Sequence, residues 1–329
     1  MKVRSAALLI IVTVLGGCAW DTPMSTVVTH TDFARAILSV YALITWVCAV
    51  IAVIVFTALA WVLSRYRERG ASSLPRQIRG HTLLELSWTI APALVLLVIA
   101  IPTIQVIFRT QTTPAPAGAL QITVRGWQWW WEFRYPSLGI VTANELYLPL
   151  GQPIAIRLEG PDVIHSFWVP RLGGKRDVIP GRINLLSFTA DQPGDLWGQC
   201  AEFCGASHAN MRMRVVAVSP VEFERWVAQQ KAEPVEPRDA AGEGKTIYAR
   251  SACVGCHTIR GISTGVIAPD LTHFGSRTTL AAGMLPNTLE NLTAWLLDPP
   301  RVKPGSKMPS VGLTAAEAKA VATYLLSLK

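Results

Sequence analysis

Two long stretches of this 329-residue chain are almost free of polar interruption: residues 36–63 carry no formal charge, and residues 83–108 carry only Glu85. A soluble core helix of that length would keep a polar face, and about 20 apolar residues are enough to cross a bilayer. Both are therefore predicted to be transmembrane helices (about 36–63 and 83–108), with Pro92 and Pro102 kinking the second. After Thr110 the pattern changes. Pro114, Pro116 and Gly118 form a linker, and LQITVR, ELYLPL, IAIRLE, INLLSF and MRMRVVAV then alternate apolar and polar positions as half-buried strands do. Gly- and Pro-bearing turns separate them, which predicts a β-sandwich or barrel. SPVEFERWVAQQ reads as a closing helix, with Ser219 and Glu222 as a capping box and Pro220 at the first helical position. The charged, Pro-bearing segment 231–239 is a semi-stiff linker. Beyond it, Asn287 with Glu290 and Thr314 with Glu317 give cap signals for two further helices.

Charge orients this arrangement. Between the apolar stretches, Arg65, Arg67, Arg69, Arg76 and Arg79 face only Glu68, and by the positive-inside rule that loop is cytoplasmic. Both termini then lie outside. The first 17 residues agree, since Lys2 and Arg4 precede an apolar run and LGGC ends at Cys18, the form of a bacterial signal peptide. Cys18 is either the lipidated mature N-terminus or an idle residue of an uncleaved anchor. Net charge is +8, but residues 110–230 hold ten basic and ten acidic side chains, so no surface for nucleic acid is implied.

Chemistry concentrates in two places. GQCAEFCGASHANM places Cys200, Cys204, His208 and Met211 within one loop. Thiolate, imidazole and thioether together select copper among first-row metals, and His165 in DVIHSFWVP is the natural distant nitrogen ligand. Two cysteines on so short a loop can bridge two copper ions; the other reading is a disulfide, whose small ring would restrain the unfolded chain little. The second place is Cys253, Cys256 and His257 in CVGCH, the attachment motif for c-type haem, with His257 as proximal ligand. Met308 in GSKMPS, whose setting resembles that in small bacterial cytochromes c, is by that resemblance preferred over Met284 as the sixth ligand.

The copper loop, with DVIHSFWVP upstream, resembles subunit II of haem-copper cytochrome c oxidases, whose binuclear centre is called CuA; the KMP setting resembles small bacterial cytochromes c. The resemblance implies His165, Cys200, Glu202 through its carbonyl, Cys204, His208 and Met211 as CuA ligands. It also implies that the Glu202 side chain faces a magnesium ion shared with subunit I. Trp129, within GWQWWWEFRY, becomes the ring through which electrons reach CuA, while packing accounts for the other rings. In ELSW, Glu85 falls at the mouth of a proton-uptake path of subunit I; on physics alone it is equally an interfacial acid solvated by headgroups. Asp162 is expected to order its loop by hydrogen bonding.

The resulting expectation is a multi-domain membrane protein. Residues 1–17 are a signal peptide, 18–109 an N-terminal segment and two-helix transmembrane hairpin, 110–230 an all-β cupredoxin-like CuA domain, 231–239 a linker, and 240–329 an all-α cytochrome c domain. Similarity to the caa-type enzymes implies that electrons pass from haem c to CuA and on to haem in subunit I, where oxygen is reduced to water with proton translocation. Expected partners are subunit I and other oxidase subunits, a cytochrome c or bc1-type electron donor, and membrane lipid. The expected location is the bacterial inner (plasma) membrane, with the copper and cytochrome domains on the periplasmic face. A fused cytochrome has a high effective concentration near the copper domain, so strong charge complementarity is not required. A membrane-tethered electron carrier without an oxidase is the alternative; a quinol oxidase subunit would lack the copper ligands, which are intact here.

Overall fold

The computed structural model describes residues 21–67, 70, 77, 79–111, 115–234 and 240–329. The expected signal peptide, Cys18, Pro114, most of the 231–239 linker, and Arg69 and Arg76 lie outside the described residues. The chain forms two compact units: Arg35–Thr113 is one, and the residues before and after it form the other.

The apolar stretches fold as α1 (Asp32–Arg65) and α2 (Thr82–Gln111). Each outruns its apolar stretch at both ends, with Asp32 and Glu85 in the first turns and Arg65 and Arg109 in the last, which suits the helix dipole. α2 continues through Pro92 and Pro102, and none of its residues is buried. Trp46, Phe56, Leu83 and Leu96 stand fully outward, the surface of helices made for a hydrocarbon solvent.

The cupredoxin-like domain is a sandwich of ten strands: β1 (Leu120–Trp127), β2 (Trp130–Tyr135), β3 (Ile140–Ala143), β4 (Glu145–Pro149), β5 (Pro153–Glu159), β6 (His165–Trp168), β7 (Arg176–Val178), β8 (Asn184–Thr189), β9 (Gly194–Cys200) and β10 (Arg212–Val218). One sheet runs β3-β2-β1-β5-β8 and the other β4-β10-β9-β6-β7. β1 pairs β5 and β4 pairs β10 in parallel, while the other ladders are antiparallel. The five strands expected from alternation are present. β2, β3, β6, β7 and β9 add to them; β2 sets Trp131, Phe133 and Tyr135 on one face and the buried, ion-paired Glu132 on the other. Ile122, Trp131, Phe133, Leu146, Ile156, Phe167 and Val215 fill the space between the sheets.

The closing helix is α3 (Pro220–Lys231), started by the expected Ser219–Glu222 capping box. Its Trp226 stacks on Tyr147 with centroids 4.7 Å apart. Ahead of the sandwich, Thr31 bridges Ala190, and the Asp32 carboxylate accepts the Thr189 amide at 2.8 Å.

The cytochrome domain comprises α4 (Ala240–Arg250), α5 (Cys253–Cys256), α6 (Leu289–Leu297), α7 (Pro299–Val302) and α8 (Ala315–Ser327), with two short two-stranded ladders between α5 and α6. Helices carry its core: Ile247 and Tyr248 of α4 and Leu292 and Leu296 of α6 cluster with Val321 and Leu325 of α8. The Thr314–Glu317 box caps α8 as expected. At α6 the expectation needs correcting, because Thr288 is the N-cap and accepts the Asn291 amide. Asn287 instead donates its side-chain amide to the carbonyls of Phe274 and Arg277, which removes it from the cap.

Candidate copper and haem centres

Three strand ends and one turn converge on the copper loop. His165 opens β6, Cys200 closes β9, His208 lies in a single 3-10 turn, and Met211 stands just ahead of β10. β6 pairs β9 directly, and the Cys200 amide donates to the Met211 carbonyl at 2.9 Å. These ladders bring together residues that are 35 positions apart in sequence.

The donor atoms form a continuous cluster. Cys200 Sγ and Cys204 Sγ are 3.7 Å apart; Cys200 Sγ lies 3.8 Å from His165 Nδ1 and 3.3 Å from the Glu202 carbonyl; Cys204 Sγ lies 3.6 Å from His208 Nδ1 and 3.9 Å from Met211 Sδ. Both cysteines are free, at a separation far beyond the ~2.05 Å of a disulfide. His165, both cysteines and Met211 are buried. Soft and borderline donors enclosed in this way fit a pair of copper ions. The Glu202 carboxylate turns outward, 3.6 Å from Lys175 Nζ.

Neighbouring groups fix the donors. His165 Nε2–H donates to Asp162 Oδ1 at 2.9 Å, which leaves Nδ1 aimed at Cys200. The His165 ring packs closely over Gly126, where an added Cβ would lie 2.9 Å from Cδ2. The hydrogen bond shared with Cys204 holds the Cys200 thiol well below its ordinary value, against the opposing effect of burial and with help from His165. Cys204 moves upward, through that same bond and then burial. Burial would lower His165, but its bonds to Asp162 and Cys200 raise it on balance. Asp162 is likewise held below its ordinary value: burial pushes it up, and bonds from His165 and the amides of Gln128 and Val163 outweigh that.

Trp129 is 9 % exposed, and its Nε1–H donates to the Cys204 carbonyl at 3.0 Å, beside the Gln128 side chain, which donates to the same carbonyl at 2.8 Å. The indole is thus hydrogen-bonded to the copper loop, while the neighbouring rings serve packing: Trp127 stacks on Trp130, and Trp131 meets His165 edge-on at 6.1 Å.

In the cytochrome domain a largely apolar cavity of about 440 Å³ is lined by Cys253, Cys256, His257 and Met308, with Phe274, Leu280 and Trp295. Met308 is among the lining residues and Met284 is not. His257 Nδ1–H donates to the Pro269 carbonyl at 2.7 Å, which leaves Nε2 for an axial bond; burial lowers the pKa of this imidazole, favouring its ligating neutral form. Two thiols, a neutral imidazole and a thioether around an apolar cavity fit a covalently held haem. Trp127, Gln128 and Trp129 line the same cavity, so it reaches the tryptophan that touches the copper loop.

Glu85 belongs to the helical unit, in the first turn of α2, where its Oε1 accepts the His81 amide at 3.3 Å. Sequence reasoning missed Lys303 and Ser207. Lys303 is buried at the cavity wall, and burial draws its pKa down to about 7, with the Cys204 thiol opposing. A lysine in RVKPG carries no sign of burial.

These features define a class: a membrane-anchored electron-transfer protein with a cupredoxin-like copper domain and a c-type cytochrome domain. The family description "Cytochrome C oxidase subunit II, transmembrane domain" matches residues 29–106, "Cytochrome C oxidase subunit II, periplasmic domain" residues 139–218, and "Cytochrome c" residues 241–329. The cytochrome c oxidase subunit 2 of Alkalihalophilus pseudofirmus is 38% identical over 290 residues, covering 86% of this chain and 84% of that protein. That of Bacillus sp. (strain PS3) is 36% identical, covering 80% of each. The quinol oxidase subunit 2 of Bacillus anthracis is 32% identical over 74% of this chain and 84% of its own length. The chain belongs to the cytochrome c oxidase subunit 2 family.

Proposed function

We propose that this chain takes up electrons for a bacterial haem-copper oxidase, accepting them in the cytochrome domain and delivering them through the copper domain to subunit I. The observation that carries the reading is the pair of free, buried sulfurs 3.7 Å apart, each also within 4 Å of an imidazole. Cys200, Cys204, His165, His208, Met211 and the Glu202 carbonyl would hold two copper ions. Cys253 and Cys256 would carry the haem through thioethers, with His257 and Met308 on the iron. Bound, the two groups supply reversible one-electron chemistry without bond making, and Met ligation raises the haem potential.

The protein's own part is orientation and enclosure. Asp162 sets the His165 tautomer, the sandwich excludes water from the sulfurs, and Trp129 joins the cavity wall to the Cys204 carbonyl. The functional boundaries proposed are 110–230 for the copper domain and 240–329 for the cytochrome, after a cleaved 1–17 leader and a lipidated Cys18. The exposed Glu202 carboxylate is the proposed ligand of a magnesium ion at the face of subunit I. Glu85 is proposed as the proton-path acid of the membrane unit. The donor is a cytochrome c or bc1-type protein, and both globular domains face the periplasm from the inner membrane.

Electron paramagnetic resonance of the copper-loaded full chain tests this. A hyperfine pattern from one electron shared equally by two copper nuclei is expected. A pattern from a single nucleus, or two titratable thiols that bind no copper, overturns it.

A further inference from the structure

A tether alone would let the cytochrome sample many orientations near the copper domain. The two domains instead share a hydrogen-bonded junction with a buried cation at its centre. Lys303, 4 % exposed, donates from Nζ to the Trp129 carbonyl of the copper domain at 2.7 Å and to the Ala281 carbonyl of the cytochrome domain at 3.0 Å. The next residue continues the contact, since the Ser207 hydroxyl, adjacent to His208, donates to the Pro304 carbonyl at 2.5 Å. At Gly305 (φ +80°) an added Cβ would lie 3.0 Å from the Trp129 ring.

A second anchor lies on β4. The buried Glu145 Oε1 accepts the amides of Thr278 and Thr279 at 2.9 and 3.0 Å and both of their hydroxyls at 2.8 and 3.2 Å. Between the anchors, the Arg212 amide donates across the junction to the Ala282 carbonyl at 3.1 Å.

We propose that Lys303 is a positioning residue which, together with Glu145, fixes the cytochrome domain in one docked arrangement on the copper domain and sets the Met308-bearing segment against Trp129. Burying an ammonium costs less the more of its protons are accepted; two of three are taken here, and removing the side chain takes this donor from both carbonyls. An orientation that keeps Lys303 buried without these carbonyls, or Glu145 buried with Arg214 at 3.4 Å as its remaining partner, bears that cost, so partly docked orientations are disfavoured and one register is selected. In that register Trp129 is capped by Lys303 to Gly305, and an external donor meets the cytochrome face rather than the indole. The inference gives the electron-uptake reading its geometry, but it concerns the polypeptide and is tested without reference to the number of copper ions.

The test is amide hydrogen exchange on the haem- and copper-loaded full chain in detergent. The amides of Arg212, Thr278 and Thr279 report the junction. Those of Cys200 and Arg214, bonded to Met211 and Asn144 within the copper domain, report its fold. Lys303→Met is expected to speed the three junction amides at least about tenfold, the effect of losing one bond to a charged donor, and to leave the Cys200 and Arg214 amides unchanged. Lys303→Arg, which restores charge and donors, should recover part of that protection. Equal acceleration of both sets, or no change at the junction, overturns the proposal. If Lys303→Met does not fold, Glu145→Gln makes the same comparison, with Thr278 and Thr279 read against Cys200.

Discussion

Asp162 decides which nitrogen of His165 faces the thiols. With Nε2–H committed to the carboxylate at 2.9 Å, the ring presents Nδ1 to Cys200, the arrangement by which outer partners orient metal-bound imidazoles. Asp162→Asn is expected to weaken copper binding by about 10- to 100-fold, read by competition with a chelator. The same change alters the acid limb of stability in the copper-free protein. Asp162 is held below its ordinary value of 3.8, so the folded state binds its proton less tightly than the unfolded chain. Its contribution is present above pH 3.8 and disappears as pH falls through the lower folded value. The wild-type protein should lose stability over that window by more than Asp162→Asn does, which denaturant titrations at stepped pH would measure.

At the scale of elements, close approach overrides intrinsic preference. α4 and α8 pack so tightly at Gly244 that an added Cβ would stand 2.1 Å from the Ala320 carbonyl oxygen and 2.6 Å from its carbon. In an isolated helix Gly→Ala stabilises by roughly 0.5–1 kcal/mol. Here the obstructing atoms are backbone and cannot rotate away, so Gly244→Ala should destabilise the cytochrome domain by at least about 1–3 kcal/mol. Thermal unfolding followed at the haem absorption gives the sign directly. The elements the sequence left unread follow a similar logic. β2 alternates Trp131, Phe133 and Tyr135 on its buried face with Glu132 and Arg134 on the other, where the two pair, but the Trp run leading into it masks that alternation. The α6 cap passed from Asn287 to Thr288 because a loop two turns of chain away had two carbonyls for Asn287 to satisfy.

For the whole molecule, the membrane unit and the globular unit obey different solvents. Large apolar side chains cover α1 and α2 on the outside, as in Trp46 at 73 % and Leu83 at 69 % exposure, whereas the globular unit gathers most such residues into two cores and leaves scattered ones such as Phe203 outside. The full chain should therefore stay with membranes through high-salt and alkaline washes and leave only with detergent. Release by salt alone would contradict an embedded anchor.

The sequence by itself determined the spans, the copper loop, the haem motif and most of the caps. Each of these is written in neighbouring residues: charge-free length, ligands three or four positions apart, CVGCH, or a hydroxyl three residues before a Glu. His165 could be paired with Cys200 in advance only through its setting in a motif. Tertiary structure decided what depends on distance rather than spacing. It chose the nitrogen that His165 presents and brought Met308 rather than Met284 to the cavity. It also buried Lys303 between two domains, a contact that no local pattern around residue 303 announces. A local signal is enforced by the backbone's own geometry, whereas burial of one cation depends on carbonyls contributed from residues 129 and 281, and only the folded chain brings those together.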